Sequence, residues 1–254
     1  MSSLPPVQNG QSSQGIWPYI TPYVNSSIAA SAAIVPVFYG FVGKSALQIG
    51  KPFPNMLPQE LIIGGLKAAP IVGITIGSQM LVQNMTEEAL ITYFGYTKEN
   101  LDFKAMLVSS VATGILSTPP LAMFNGQTMD RSVWQSLKSL SIKQTTAIVS
   151  RETSFLFSLR ISDPISKTIK EIYGDNKIVE YGATFISGVV GSIVGHPADT
   201  ALTLWQKNLK VENPQQLMRG VFTRALAIGG FSILYKAAKE TLKSLSLSLP
   251  TSAK

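Results

Sequence analysis

Uncharged apolar stretches alternate along this chain with stretches in which charges are spaced among apolar residues. Ser26 to Gly43, Ala105 to Met129 and Tyr181 to Ala198 hold no Asp, Glu, Lys or Arg, and Leu61 to Gln83 holds only Lys67. A helix that crosses a bilayer needs about 20 mostly apolar residues, so these four stretches predict transmembrane helices. Two further stretches are mixed. Ile142 to Lys167 carries Lys143, Arg151, Glu152, Arg160 and Asp163, and Val221 to Leu242 carries Arg224 before an apolar run to Tyr235. Alone, each reads as an amphipathic surface helix, but in a bundle around a watery cavity such charges point inward. Six helices are expected on that count.

Pro36, Pro119 and Pro197 punctuate the first, third and fifth of these helices, roughly 80 residues apart. Charge-free, proline-bearing helices thus alternate with charge-bearing ones, which suggests three helix pairs, and a fixed interval between like features marks repeated units. Residues 1–22 are rich in Ser, Gln, Pro and aromatics and read as a flexible lead, with 244–254 as a flexible tail. Met1 to Gly43 has no charged side chain, so it lacks the positive start of a secretory signal and the Arg-rich pattern of a transit peptide.

Composition sharpens the membrane reading. Of the 254 residues 45% are hydrophobic and 14% charged, against about 25% charged in an average soluble domain. Mean hydropathy is +0.23. The formal charge of +7 favours anionic partners, either lipid or substrate. Nucleic acid is excluded as a partner because no Lys/Arg block is interleaved with stacking aromatics. The chain has no cysteine and one histidine, His196, which argues against disulfides, a metal centre or a cofactor held by such ligands. No nucleophile is paired with a base, so an enzyme is not expected.

The segment H-P-A-D-T-A-L-T-L-W-Q, His196 to Gln206, is followed by E-N-P-Q-Q-L-M-R-G, Glu212 to Gly220. Together they resemble the signature of the mitochondrial carrier family. Pro197, Asp199 and Gln206 stand at the signature's proline, acid and glutamine, and Glu212, Arg219 and Gly220 at its second half. Asn213 takes the place of a glycine and Met218 that of an aromatic. The run from Gly220 to Lys239 resembles the family's even-numbered helix, and R-E-T-S-F at Arg151 to Phe155 resembles its fourth-helix motif. Earlier repeats match only at Pro36, K-A-A-P (Lys67 to Pro70), Pro119 and Gln127.

The resemblance implies an all-α membrane protein, six transmembrane helices as three tandem helix-pair repeats around a central cavity. The carrier domain spans 23–243, with repeats at about 23–86, 100–170 and 178–243. It further implies exchange of a small anionic metabolite by alternating access in the mitochondrial inner membrane. Substrate contacts fall on Lys67, Arg151, Glu152 and Arg224, with Ala227 nearby. Three cations narrowly favour a nucleotide such as ATP or ADP, while the adjacent Arg151 and Glu152 resemble an amino-acid or keto-acid carrier. Of the family's three gate acids only Asp199 is present, the others being Phe38 and Leu121, with Phe41, Phe124 and Leu202 at the base positions. Lys44, one turn past Phe41, is the expected partner of Asp199.

The opposite gate reduces to Tyr235, Lys236 and Lys239, with Lys167 preceded by Asp163 and Pro164. Arg219 and Gly220 are expected to hold cardiolipin or another anionic lipid at a helix start. Gly188, Gly191 and Gly195 suit close helix packing, His196 a structural place beside a bend, and Trp17, Trp134 and Trp205 the membrane interface. Thin gates leave a second reading open, a carrier-shaped membrane protein that no longer transports. The divergence would also suit a carrier mimic made by an intracellular pathogen.

Overall fold

A computed structural model describes residues 17–95, 103–174 and 176–248. Every regular element among them is helical: α1 Trp17–Gln48, α2 Pro58–Phe94, α3 Phe103–Leu116, α4 Thr118–Gln127, α5 Val133–Lys138, α6 Ile142–Tyr173, α7 Lys177–Val194, α8 His196–Gln206 and α9 Val221–Ser248. A single 3-10 turn, Pro214–Met218, precedes α9. Because α3 and α4 follow one another, as do α7 and α8, the described residues make six long rods, with the six-residue α5 as a short connector between α4 and α6.

Neighbouring rods run antiparallel and close into a ring. On α1 and α2, Ser31 Oγ donates to the Ala69 carbonyl at 2.9 Å, and Gly65 and Gly73 back onto Val35 and Ser27. On α7 and α9, Tyr181 donates to Glu240 at one end while Arg224 reaches the Ser192 carbonyl at the other. Gly40 of α1 meets Ala227 of α9, which completes the ring. Small residues at these seams let backbones approach closely, as helices in lipid require. The lower end of the bundle holds Gln48, Pro58, Gln127, Gln206 and Gly220; the upper end holds Phe94, Tyr173 and Lys177.

Among the described residues, four helices are long and apolar enough to cross a membrane: Tyr23–Gln48, Pro58–Phe94, Lys177–Val194 and the helical stretch Pro214–Leu245. The pair Leu107–Leu116 and Thr118–Gln127, bent by 61°, makes a fifth if it is one span. The chain is therefore a multi-pass membrane protein in its helical make-up. α6, whose sequence carries the charges noted above, is not among these spans.

Local chemistry explains the element ends. Asn176 accepts from the Val179 N–H to cap α7, and Ser141 does the same for α6. At α5, Ser132 and Gln135 satisfy one another's backbone N–H groups, a reciprocal capping box. Pro119 and Pro197 lie in the first turns of α4 and α8, where a missing N–H costs little.

Several sequence expectations change. Residues 17–22 are helical within α1 and 244–248 within α9, while the rest of the expected lead and tail lies outside the described residues. The third and fifth stretches are each two helices, because neither proline can donate back to the preceding turn. Pro36, in contrast, lies midway along an α1 assigned as one continuous helix. Asn213, at the signature's glycine position, has an extended backbone with φ −148°, and its side chain caps the 3-10 turn by accepting from Gln216 N–H.

Candidate functional site

Asp199, one turn into α8, is 1% exposed and lies among cations from three other rods. Its Oδ2 accepts from Lys44 Nζ of α1 at 2.8 Å and from Gln48 Nε2 at 2.8 Å. Its Oδ1 accepts from Arg151 Nη1 of α6 at 2.9 Å. Arg224 Nε of α9 stands 3.7 Å from Oδ2. Isolated charges away from water cost several kcal/mol each, so such groups persist only when paired and hydrogen-bonded.

The network extends sideways. Arg151 Nε donates to Glu152 Oε1 at 2.9 Å, and Gln79 of α2 donates to Glu152 Oε2 at 3.0 Å. Lys44 also donates to Asn125 of α4, whose amide donates to Gln206 Oε1 at 2.6 Å. Thr203 donates to Gln48 Oε1 at 2.7 Å. Arg131 donates to the Gln206 carbonyl and Lys207 to that of Met129, tying α8 to the turn after α4. Gln48, Gln79, Asn125 and Thr203, with Arg131 and Lys207, escaped the sequence reading. The signal for Gln48 is its place one turn beyond Lys44; Asn125 could be found only by choosing it over Gln127, whose Oε1 has no partner.

Above this layer lies a cavity of about 90 Å³, lined from α1, α2, α4, α6, α8 and α9. Its ionisable lining is Lys44, Arg151, Arg224, Glu152 and Asp199, three cations against two carboxylates. Apolar walls come from Ile34, Val72, Phe155 and Phe231. A cleft of about 540 Å³ adjoins it from above, sharing Ile76, Gln79, Phe155 and Phe231 and bordered by Lys236, Lys239 and Lys243. Below, the Asp199 network fills the bundle. A separate cleft of about 800 Å³ beside the lower ends of α1, α2 and α4 shares no lining residue with the central cavity.

The remaining expected residues fall as follows. Lys67 is exposed and borders that separate cleft, outside the central cavity: its neighbours Ala68 and Ala69 hold the buried face of α2, so its own direction leads outward. Ala227 packs into the α1 seam. Arg224 reaches the cavity, and Lys239 lies over the Tyr235 ring in the upper cleft. Arg219 is exposed, and Gly220 takes φ +78° with Lys44 O 3.2 Å from where a Cβ would stand. His196 donates through Nε2 to the Arg219 carbonyl at 3.0 Å, bracing the break against the start of α9. Gly188 meets Ser232, and Gly195 meets the Arg151 carbonyl. Trp134 is exposed, whereas Trp205 packs against the cluster around Ile148 and Leu202. The side chains of Trp17, Asp163 and Pro164 lie outside the described residues. Phe41 and Phe124 meet edge to face at 5.4 Å.

No protein-family model matches the chain, and no curated protein matches it.

Proposed function

We propose that this protein carries a small organic anion across a membrane by alternating access. The observation behind this reading is the central cavity: all six rods surround it, the upper cleft adjoins it, and an ion network plugs it below. A polar site at mid-depth that communicates with one side at a time is the working element of such transporters. In this reading all six rods span the bilayer as three hairpins, with Arg151 and Glu152 of α6 turned toward the cavity.

The excess of one positive charge around the cavity selects an anion, and Arg224 and Arg151 can offer it charge-assisted hydrogen bonds. A carboxylate such as an amino acid or keto acid suits the site better than a nucleotide. The expectation of a nucleotide counted Lys67 as a third cation, whereas Lys67 points away and Asp199 and Glu152 offset two of the others. The mitochondrial inner membrane as the location rests on the signature-like segment from His196 to Gly220. Exposed Arg219 at the lower end would meet an anionic lipid head group there.

Uptake into cardiolipin-containing liposomes tests the proposal, with labelled aspartate, glutamate, 2-oxoglutarate and ADP in parallel. Uptake of a carboxylate is expected, with apparent affinity lowered about ten- to hundredfold in Arg224→Gln, the effect of losing about 1.5–3 kcal/mol of charged hydrogen bonding. Uptake of ADP alone restores the nucleotide reading. No uptake by folded protein supports a carrier-shaped protein that no longer transports.

A further inference from the structure

The charged side chains that line the central cavity largely answer one another. Lys44 and Arg151 are held by Asp199, and Arg151 also by Glu152. Arg224 is the remainder. It is buried, donates to the Ser192 carbonyl at 2.6 Å, and stands 3.7 Å from Asp199 without a hydrogen bond. A guanidinium has five N–H donors, and the others of Arg224 have no hydrogen-bond partner among the described residues. The neutral polar lining is committed elsewhere. Thr75 donates to the Ile71 carbonyl, Gln79 to Glu152, and Asn125 to Gln206 while accepting from Lys44. Three cations against two carboxylates leave one positive charge, so the cavity has donors and charge for a single oxyanion.

The walls above that point are apolar. Phe155 lies one turn above Arg151 on α6, and Ile228 and Phe231 lie one and two turns above Arg224 on α9. Ile76, Phe155 and Phe231 also line the upper cleft, so they form the collar that a substrate must pass. The Phe231 ring stacks on Tyr235 with centroids 6.0 Å apart, which braces it as a wall. A second carboxylate placed there would be buried against hydrocarbon with no donor, whereas a branched or aromatic group there gains by leaving water. An ammonium group fares no better. The cavity already has excess positive charge, and its carboxylates accept from Lys44, Arg151 and Gln79.

We propose that the substrate is a monocarboxylate with a branched or aromatic body and no amino group, its carboxylate on Arg224 and its body against Ile76, Phe155, Ile228 and Phe231. This rests on the transport reading above and narrows it. Arg224 recognises that the substrate is an anion, and the collar selects which anion. Dicarboxylates and zwitterionic amino acids are rejected by the apolar walls, because each brings a second charged group that finds no partner there.

The test gives full-length protein in liposomes labelled phenylpyruvate, the keto acid derived from leucine, leucine itself and 2-oxoglutarate, with protein-free liposomes as the control. The same compounds are added to the protein in detergent while its thermal unfolding midpoint is followed. Both apolar keto acids are expected to enter with apparent affinity about tenfold or more above that of 2-oxoglutarate or leucine, the discrimination that a small buried apolar group supplies. They should also raise the unfolding midpoint further. Phe231→Ala should lower the affinity for phenylpyruvate about tenfold and leave that for 2-oxoglutarate unchanged. If Phe231→Ala misfolds, Ile76→Ala replaces it. Entry of 2-oxoglutarate or leucine with equal or higher affinity overturns the proposal and leaves the transport reading standing. A midpoint raised selectively by the keto acids with no uptake of any compound overturns transport and keeps the apolar carboxylate site. An undiminished preference in the folded collar variant, or no response to any of the compounds, overturns the proposal.

Discussion

Lys44 and Lys67 carry the same charge on adjacent helices and have opposite fates. Lys44 is 2% exposed, between Asp199 and Asn125, whereas Lys67 faces outward. Removing one partner of a buried ion pair costs about 3–5 kcal/mol because the other charge is stranded. Lys44→Ala should therefore lower the thermal unfolding midpoint in detergent markedly, while Lys67→Ala should change stability by no more than about 0.5 kcal/mol. Equal effects of the two substitutions would contradict the burial difference. The pairing of Lys44 with Asp199 was legible because both stand in otherwise uncharged stretches, where a lone charge has few places to go. The outward turn of Lys67 was not, since helical spacing on α2 is blurred by Gly and Ala that pack on one side and leave apolar residues such as Leu66 and Ile74 exposed on the other.

At the scale of elements, the breaks before α4 and α8 decide where side chains point. Pro197 offers no N–H to the turn before it, and Asp199 follows two residues later in the first turn of α8. Pro197→Ala restores that donor and favours one straight helix, which would carry Asp199 away from Arg151. Anion uptake should fall roughly tenfold, the equivalent of about 1.4 kcal/mol, while helix content by far-ultraviolet circular dichroism stays constant. Undiminished uptake would show that the break does not position the carboxylate. Prolines marked two of the three breaks expected. Pro36 made none, because a helix interior can absorb a proline where neighbouring helices support it, and α1 is packed by α2 and α9 on its two sides.

The described helices form a ring of antiparallel rods, and under the proposed reading, in which all six cross the bilayer, the even number of crossings returns the chain to its starting side. Tags fused at the two termini should both be protected, or both digested, when protease is added to sealed mitochondria or proteoliposomes of uniform orientation. Opposite protection would mean that one rod, with α6 the first suspect, does not cross. An all-helical chain with several apolar, membrane-length helices was readable from charge spacing. That Arg151 and Arg224 would meet one carboxylate was not, because nothing in local sequence records which cations a ring brings together.

The amino-acid sequence by itself determined the solvent and the elements. Long uncharged apolar runs lose free energy in water and satisfy their backbone as helices in lipid, and this depends only on which residues follow one another. Tertiary structure alone decided the site. Asp199 and Lys44 are 155 residues apart, and Gln79 and Glu152 are 73 apart. The closure of the ring sets the distance between them, and a buried charge accepts the partners that the closed bundle places within reach.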